Sequence, residues 1–378
     1  MQTKRIGIFT GLAWEKWDLN TYKDRGIGGS ETCAGRLAET AAEQGHAVVL
    51  YGDFDQKIQH GVQLVPWQKF NPEKEFFDLF IISRDLGCLN EKLKASKIVV
   101  WIHDVCLTTG KPLTDFQRRM IDKFIVLSPW HHDFVKRYYG LQQDKLEIIP
   151  HGVNIELFDP YSADQKEFGK FLWTSSADRG LENLLDLFPR IKEKVPEAHL
   201  EVTYGFHNWL SFVVKNRDIN TLKRIDKLKN HMDTCGYVNY RGRINQKELA
   251  KSWGSSYLWL YPTAFHETYC LSAMEAQASG TPIISSNVAA LQTTVGAYGQ
   301  LIESDPYSKI GQKEFINAAV EKLKNKHLWQ EMSAKSLSGA IRVSWTDRWN
   351  QYWSRLLIFN VFLIAFYYQN DIIILKCI

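Results

Sequence analysis

Residues 261–282 read YPTAFHETYCLSAMEAQASGTP. The run that leads into them, Tyr257 to Tyr261, is apolar and stops at Pro262, the pattern of a buried strand. A short polar turn follows. Leu271, Met274 and Ala278 then recur at helical spacing, and Gly280 and Pro282 close the helix. Glu267 falls in the turn, and Glu275 lies eight residues later, about two turns into the helix. A helix N-terminus at the mouth of a parallel sheet favours anions, because its free N–H groups and its dipole point there. Acids beside such a phosphate site are better suited to accept hydrogen bonds from sugar or ribose hydroxyls. The plainer alternative is a capping acid followed by a solvated helix acid.

The same strand-then-helix rhythm runs through the chain. Strands are expected at Arg5–Phe9, Ala47–Tyr51, Phe77–Ile82, Ile98–His103, Phe124–Leu127 and Leu146–Ile149, with helices from Glu31 to Gln44 and over Asp133–Tyr139. PHGVNIELFDPYSAD (150–164) is rich in Pro, Gly, Asn and Asp and reads as a linker. The pattern then restarts with strands at Phe171–Thr174, His199–Tyr204, Tyr237–Arg241, Tyr257–Tyr261 and Ile283–Ser286. Helices are expected over Leu181 to Lys194, around Leu249–Ser252, and near Gln312–Lys324 and Leu328–Ala340. WTDRWNQYWSRLL (345–357) is an amphipathic helix carrying three Trp and a Tyr. Continuous apolar strands alternating with helices mean parallel sheets covered on both faces, so the fold class is α/β. Ligands of such sheets bind at the carboxyl ends of strands, here in a cleft between two domains.

Composition narrows the function. The 378 residues suffice for two or three domains, and 45% hydrophobic residues can fill full-sized cores. A net charge of +4 is too mild to argue for nucleic-acid binding. The six cysteines are scattered without a CxxC pair, which suggests reduced thiols in a cytosolic enzyme rather than zinc or redox chemistry. The N-terminus enters a strand directly and lacks the apolar core of a signal peptide. The tail IFNVFLIAFYYQNDIIILKCI is apolar, but it is broken by Gln369, Asn370 and Asp371 into pieces shorter than the roughly 20 residues a bilayer span needs.

Several residues could carry chemistry. Gly26, Gly28 and Gly29 precede a helix, where glycines let backbone N–H groups approach a phosphate; the alternative is a turn with Ser30 as N-cap. Glu31 stands where a dinucleotide fingerprint needs its third glycine, which argues against a nicotinamide enzyme. His103 and Asp104 end the strand IVVWIHD at the edge where sites form, although a lone His there is often structural. His131 and His132 lack metal-ligand spacing and read as structural or surface residues. Arg179 follows the strand FLWTSS and can reach a diphosphate with a bidentate fork. Arg241 and Arg243, in YRGR, are weaker candidates for the same cleft.

Together these residues resemble the retaining glycosyltransferases of family 4. The central match is Glu267-Thr268-Tyr269-Cys270-Leu271 through Glu275-Ala276-Gln277-Ala278-Ser279-Gly280-Thr281-Pro282, the family's pair of glutamates separated by seven residues. GGSE (28–31), IIPHGVNIELFDP (148–160) and YRGRINQKELAKSW (240–253) also match, and the resemblance covers about residues 1–357. It implies the GT-B fold, with two Rossmann-like doubly wound domains facing a central cleft. Residues 1–155 would form an acceptor-binding domain and 156–343 a nucleotide-sugar-binding domain. Residues 344–357 would be a helix crossing back to the first domain, and 358–378 match nothing in the family.

The resemblance implies a metal-independent, retaining hexosyltransferase of the EC 2.4 class. It would move a sugar from a nucleotide-diphosphate donor to a glycan or lipid-linked acceptor. It would need no cofactor, bind no nucleic acid and work in the cytoplasm. Gly28 and Gly29 would contact the donor phosphate or sugar, and His103 would sit near the transferred sugar. Arg179, in place of the usual Lys, would bind the diphosphate with Arg243 nearby. Glu267 would face the donor sugar and Glu275 the ribose. The amides of Thr268, Tyr269, Cys270 and Leu271 would support the diphosphate. A second basic residue expected before Arg179 is absent, so Ser175 or Ser176 would serve instead, while Cys270 replaces a common glycine and His151 a common Asn. Three alternatives stay open: a nucleotide-sugar-binding or scaffolding subunit without turnover, another GT-B enzyme such as a phosphorylase or epimerase, and peripheral membrane contact through the aromatic C-terminal helix.

Overall fold

The computed structural model describes residues 2–107, 110–158, 165–339 and 343–358, and the backbone of 363–368 and 371–376. The first half contains β1 (Arg5–Phe9), α1 (Thr21–Asp24), α2 (Gly29–Glu43), β2 (Ala47–Gly52), β3 (Lys57–Gln59), β4 (Val62–Pro66), β5 (Phe76–Phe77), β6 (Leu79–Ser83), β7 (Lys94–Ala95), β8 (Ile98–Trp101), α3 (Asp115–Met120), β9 (Lys123–Val126), α4 (Pro129–Tyr139) and β10 (Leu146–Ile148). Eight of these strands form one sheet in the order β10-β9-β8-β6-β1-β2-β4-β3. All its pairs are parallel except β3 with β4 at the edge. β3 and β4 are not apparent in the sequence pattern, because Lys57, Gln59 and Gln63 interrupt the apolar run. The expected strand Phe77–Ile82 is divided at Asp78, whose carboxylate accepts from the Arg5 N–H at 2.8 Å.

The second half contains β11 (Lys170–Trp173), α5 (Leu181–Lys194), β12 (His199–Val202), α6 (His207–Lys215), α7 (Ile219–Thr234), β13 (Val238–Tyr240), α8 (Gln246–Ser255), β14 (Trp259–Tyr261), α9 (Leu271–Ala278), β15 (Ile283–Ser286), α10 (Leu291–Thr294), β16 (Gln300–Ile302), α11 (Lys309–Lys324) and α12 (Lys326–Gly339). Two three-stranded parallel sheets, β11-β12-β13 and β14-β15-β16, meet at a parallel bridge between Phe171 and Leu258. The spatial order is therefore β13-β12-β11-β14-β15-β16, a doubly wound arrangement whose direction reverses between β11 and β14. In the first sheet it reverses between β1 and β6. Loops diverge at these two places and open crevices at the strand ends.

Local chemistry explains the helices. α5 runs through Pro189, which cannot donate to the Leu185 carbonyl; the Tyr237 hydroxyl donates to that carbonyl instead, at 3.4 Å. Gly180, with φ of 117°, lets the chain turn from β11 into α5 while passing Pro262, where a Cβ would come 3.0 Å from a carbonyl oxygen. Ser30 is not the N-cap of α2. The helix begins at Gly29, and Ser30 instead bonds Glu31 and accepts from Arg84. Helices α6 and α7, between β12 and β13, have no counterpart in the elements expected from the sequence.

The chain crosses between the halves twice, side by side. Val153 pairs in parallel with Ser344, and its N–H donates to the Val343 carbonyl at 2.8 Å. The expected single helix after Ser344 is two pieces, α13 (Trp345–Gln351) and a 3-10 turn over Trp353–Leu357. Their tryptophans are turned inward: Trp349 lies on His46 at 5.4 Å between ring centroids, and Trp353 on Trp101 at 4.9 Å. Trp345, Trp349 and Trp353 are at most 5% exposed, so the aromatic face proposed for membrane contact is consumed by packing. The tail contributes two antiparallel strands, β17 (Leu363–Tyr368) and β18 (Asp371–Lys376). Cys377 and residues 159–164 of the expected linker lie outside the described residues. Among the described residues, no helix is long and apolar enough to cross a membrane.

Candidate active site

The two crevices face each other, and two cavities fill the space between them. The larger, about 560 Å³, is lined by Gly28, Gly29, His103, Arg179, Glu267, Thr268, Tyr269 and Leu271 among others. The smaller, about 210 Å³, is lined by Gly29, Arg179, Arg243, Cys270, Leu271 and Glu275. Of the candidate cleft residues taken from the sequence, all but Arg241 border one or both. Arg241 is held away by Glu201, Glu248 and Ser252.

The loop from β14 to α9 is built on hydroxyls. The Thr263 hydroxyl donates to the Arg179 carbonyl at 2.6 Å and accepts from the Phe265 N–H at 2.9 Å. These bonds fix Glu267, 4% exposed, at the turn. Its carboxylate accepts from the Tyr261 hydroxyl at 2.7 Å, and Arg179 Nη1 donates to both of its oxygens at 3.1 Å. The Arg179 guanidinium also lies over the Phe265 ring, 4.4 Å from its centroid. Burial disfavours the Arg179 charge, but Glu267, Tyr261, Asp178 and Tyr204 together outweigh it and hold the group above the usual arginine range. Arg179 therefore remains a cation at the first turn of α9, where helix N–H groups lack intrahelical partners.

Glu275 sits one turn into α9, not two, because the helix begins only at Leu271. Trp253 Nε1 donates to its Oε2 at 3.1 Å. Burial pushes this carboxyl up to about 7, although the Trp253 N–H pulls the other way. Tyr269 and Cys270 offer the cavities mainly their backbone. The Tyr269 hydroxyl accepts from Arg348 at 3.4 Å, and the buried Cys270 thiol is pushed well above the usual thiol range by burial.

On the facing wall, His103 follows β8. Its Nε2 lies 3.1 Å from the Ser83 hydroxyl, and its carbonyl accepts from Thr268 at 2.6 Å, a direct link between the halves. Its ring stacks on His151 at 5.3 Å and 20°. Burial, then His151, Arg84 and His131, hold its pKa well below the usual histidine value, so the imidazole is neutral near pH 7. His103 Nδ1 is buried and has no hydrogen-bond partner among the described residues. His131 and His132 are both buried and belong to the structure of α4. Gly29 abuts Leu271, and Arg243 pairs with Glu15, which also holds Arg25. Among the described residues, no group of three or more His, Cys, Asp or Glu side chains could hold a metal ion.

Asp104, named with His103 from the sequence, lines the larger cavity, and so do residues not singled out there: Trp14, Arg84, Trp209, Phe212 and Phe265. Arg84 stands in the left-handed backbone region, with φ of 71°, directly after β6, and bonds Asp104 at 2.7 Å. The dipeptide Arg84-Asp85 at a strand end, and the spacing of Trp209, Phe212 and Val213, were the available signals.

Residues 147–335 match the family model of glycosyl transferases group 1. The mannosylfructose-phosphate synthase of Agrobacterium fabrum is 24% identical over 205 residues, covering 50% of this chain and 43% of that protein. The chain thus spans less than half the length of that relative. Among solved structures, sucrose-phosphate synthase from Thermosynechococcus elongatus superposes with a TM-score of 0.68 at 18% identity, over 93% of this chain and 99% of that one. An Anabaena protein solved in complex with UDP and glucose superposes at 0.64 and 12% identity, over 93% and 99%. These likenesses give the fold, two Rossmann-like domains in the GT-B arrangement. The matched residues hold the strand-to-helix turn with its two glutamates, and the chain belongs to the glycosyl transferases group 1 family.

Proposed function

We propose that this protein transfers a hexose from a nucleotide-diphosphate sugar to an acceptor hydroxyl with retained configuration and without a metal. The observation that carries the reading is the arrangement around α9: Glu267 and Arg179 at its start, Glu275 one turn in, and His103 across the cleft. Glu275 would accept from the ribose hydroxyls in the smaller cavity. The diphosphate would lie at the first turn of α9, held by backbone N–H groups and Arg179. Glu267 would accept from hydroxyls of the sugar, oriented by Tyr261 and Arg179. As the glycosidic bond breaks, negative charge builds on the diphosphate, and these fixed donors stabilise it without reorganising. His103 is held neutral, so it would act on the sugar as a polar neutral group. Retention and metal independence come from the family resemblance. We place the protein in the cytoplasm on the same ground.

Two steps test this. Thermal-shift screening against UDP-, GDP- and ADP-sugars identifies the donor, because a ligand that binds the folded state raises apparent stability. The matching labelled sugar is then offered to glycan and lipid acceptors, and the anomeric configuration of the product is read by NMR. Failure of transfer to every acceptor, with nucleotide binding unchanged in Glu275→Ala, would end the proposal.

One observation favours a second reading. Arg179 is tied to Glu267, and Ser175 and Ser176 occupy the place of a second cation. A nucleotide-sugar-binding subunit without turnover would tolerate that deficit. Donor hydrolysis without acceptor separates the readings, since a pure binding subunit shows none.

A further inference from the structure

The larger cavity has a rim that donor binding leaves unexplained. Trp14 is 47% exposed and Phe212 is 56% exposed, an unusual state for side chains of this size. They come from opposite halves of the molecule. Trp14 belongs to the loop after β1, and Phe212 to α6. Lys215 of α6 lies over the Trp14 ring, 6.0 Å from its centroid, so the two elements face each other across the opening. Trp209 lines the same wall and is stacked on Phe206 at 6.2 Å and 22°. Phe265, 37% exposed, continues the aromatic surface inward to Arg179.

Between the rings the lining is acidic. Glu31, Asp104, Asp178 and Glu267 supply four carboxylates against the guanidinium groups of Arg84 and Arg179, and with Lys215 at the rim the acids still outnumber the cations. Both guanidinium groups already pair with carboxylates, Arg84 with Asp104 at 2.7 Å and Arg179 with Glu267 at 3.1 Å. A phosphorylated acceptor would bring further negative charge beside this excess, which electrostatic complementarity disfavours. A sugar ring suits the lining on both counts. Its C–H faces lie flat on aromatic rings, and its hydroxyls donate to carboxylates that can only accept.

We infer that the acceptor is an uncharged oligosaccharide, clasped at the rim between Trp14 and Phe212 with its reacting end directed inward past Phe265. The inference rests on the glycosyl-transfer reading and adds to it the acceptor class and the residues that select it. Helix α6 is then a specificity element, and the approach of the two halves would close the clasp on the chain.

The test uses the full-length protein saturated with whichever of UDP, GDP or ADP raises its melting temperature. Maltotetraose, cellotetraose, mannotetraose and xylotetraose, each with its monosaccharide, are titrated while tryptophan fluorescence is followed. Farnesyl diphosphate and glucose 6-phosphate serve as charged comparators. The expected result is that at least one tetrasaccharide binds tenfold or more tightly than its monosaccharide. Trp14→Ala and Phe212→Ala should weaken it at least tenfold with nucleotide affinity within twofold of the parent, and Trp14→Phe should restore most of the loss. Nucleotide binding without binding of any tetrasaccharide overturns the inference and leaves the donor reading standing. Preference for a charged comparator, or tetrasaccharide affinity unchanged by either alanine variant, overturns it equally. If none of the nucleotides stabilises the protein, both fall together.

Discussion

Glu275 holds its proton at a pH where an ordinary glutamate has lost it, because burial outweighs the opposing hydrogen bond from Trp253. In the unfolded chain the carboxyl ionises near its model value of 4.5, and in the folded chain near about 7. Between these values the folded state binds more protons, so stability falls as pH rises through the window and the cost is complete above it. Glu275→Gln should therefore raise the melting temperature relative to the parent at pH 8 and leave it unchanged at pH 4.5, as read by scanning fluorimetry. The same residue gives the donor a pH dependence. If the ionised carboxylate accepts from ribose, nucleotide affinity rises between pH 6 and pH 8 in the parent and stays flat, at least tenfold weaker, in the Gln variant. Arg179 is a different case, because its removal leaves the Glu267 carboxylate with Tyr261 alone. Arg179→Ala is expected to lower transfer by about 100-fold at saturating donor, while Arg179→Lys, which keeps charge but not the fork, falls between. The place of Glu267, Glu275 and Arg179 at the cavities was legible in the sequence because each stands at a strand end or a helix start. That of Arg84 was not, since it depends on a strand end 20 residues away bringing Asp104 beside it.

Strand-to-helix units were read well wherever an apolar run met a turn, and α5 and β15 fall on the residues expected. The failures have physical reasons. α6 and α7 pack only part of their surface, so polar and exposed residues dilute their periodicity, and Phe212 and Val214 point outward. β3 is an antiparallel edge strand whose residues are exposed or half-buried, and such strands lack a continuous apolar run. The C-terminal helix was correctly aromatic, but the sequence could not say which surface those rings would meet. They meet β8 and α2. Trp353 is fully buried against Trp101, and Trp353→Ala should cost about 3–5 kcal/mol by the usual toll of emptying a large core site. Urea denaturation would measure it, and the loss should appear in the transition that reports the first sheet.

At the scale of the molecule, direct links between the halves include Thr268 with His103, Glu15 with Arg243, Trp130 with His266, His151 with Tyr269, and Lys215 with Trp14. Relative motion of two domains in one chain is the usual expectation across such polar and ring contacts. Donor bound against both walls should compact the molecule, and small-angle scattering should show a smaller radius of gyration with nucleotide than without. The paired crossing at Val153 and Ser344 has a further consequence. The first sheet is covered by residues synthesised only after the second sheet, whereas the second sheet is built from one unbroken stretch. During synthesis the early half must wait, with the surface around Trp101 and His46 uncovered, until α13 emerges to seal it. A fragment of residues 1–155 should accordingly bind hydrophobic dyes and scatter light, where the full chain does neither. Order of synthesis and order of completion thus run in opposite directions, and the interval between them leaves this apolar surface open to water.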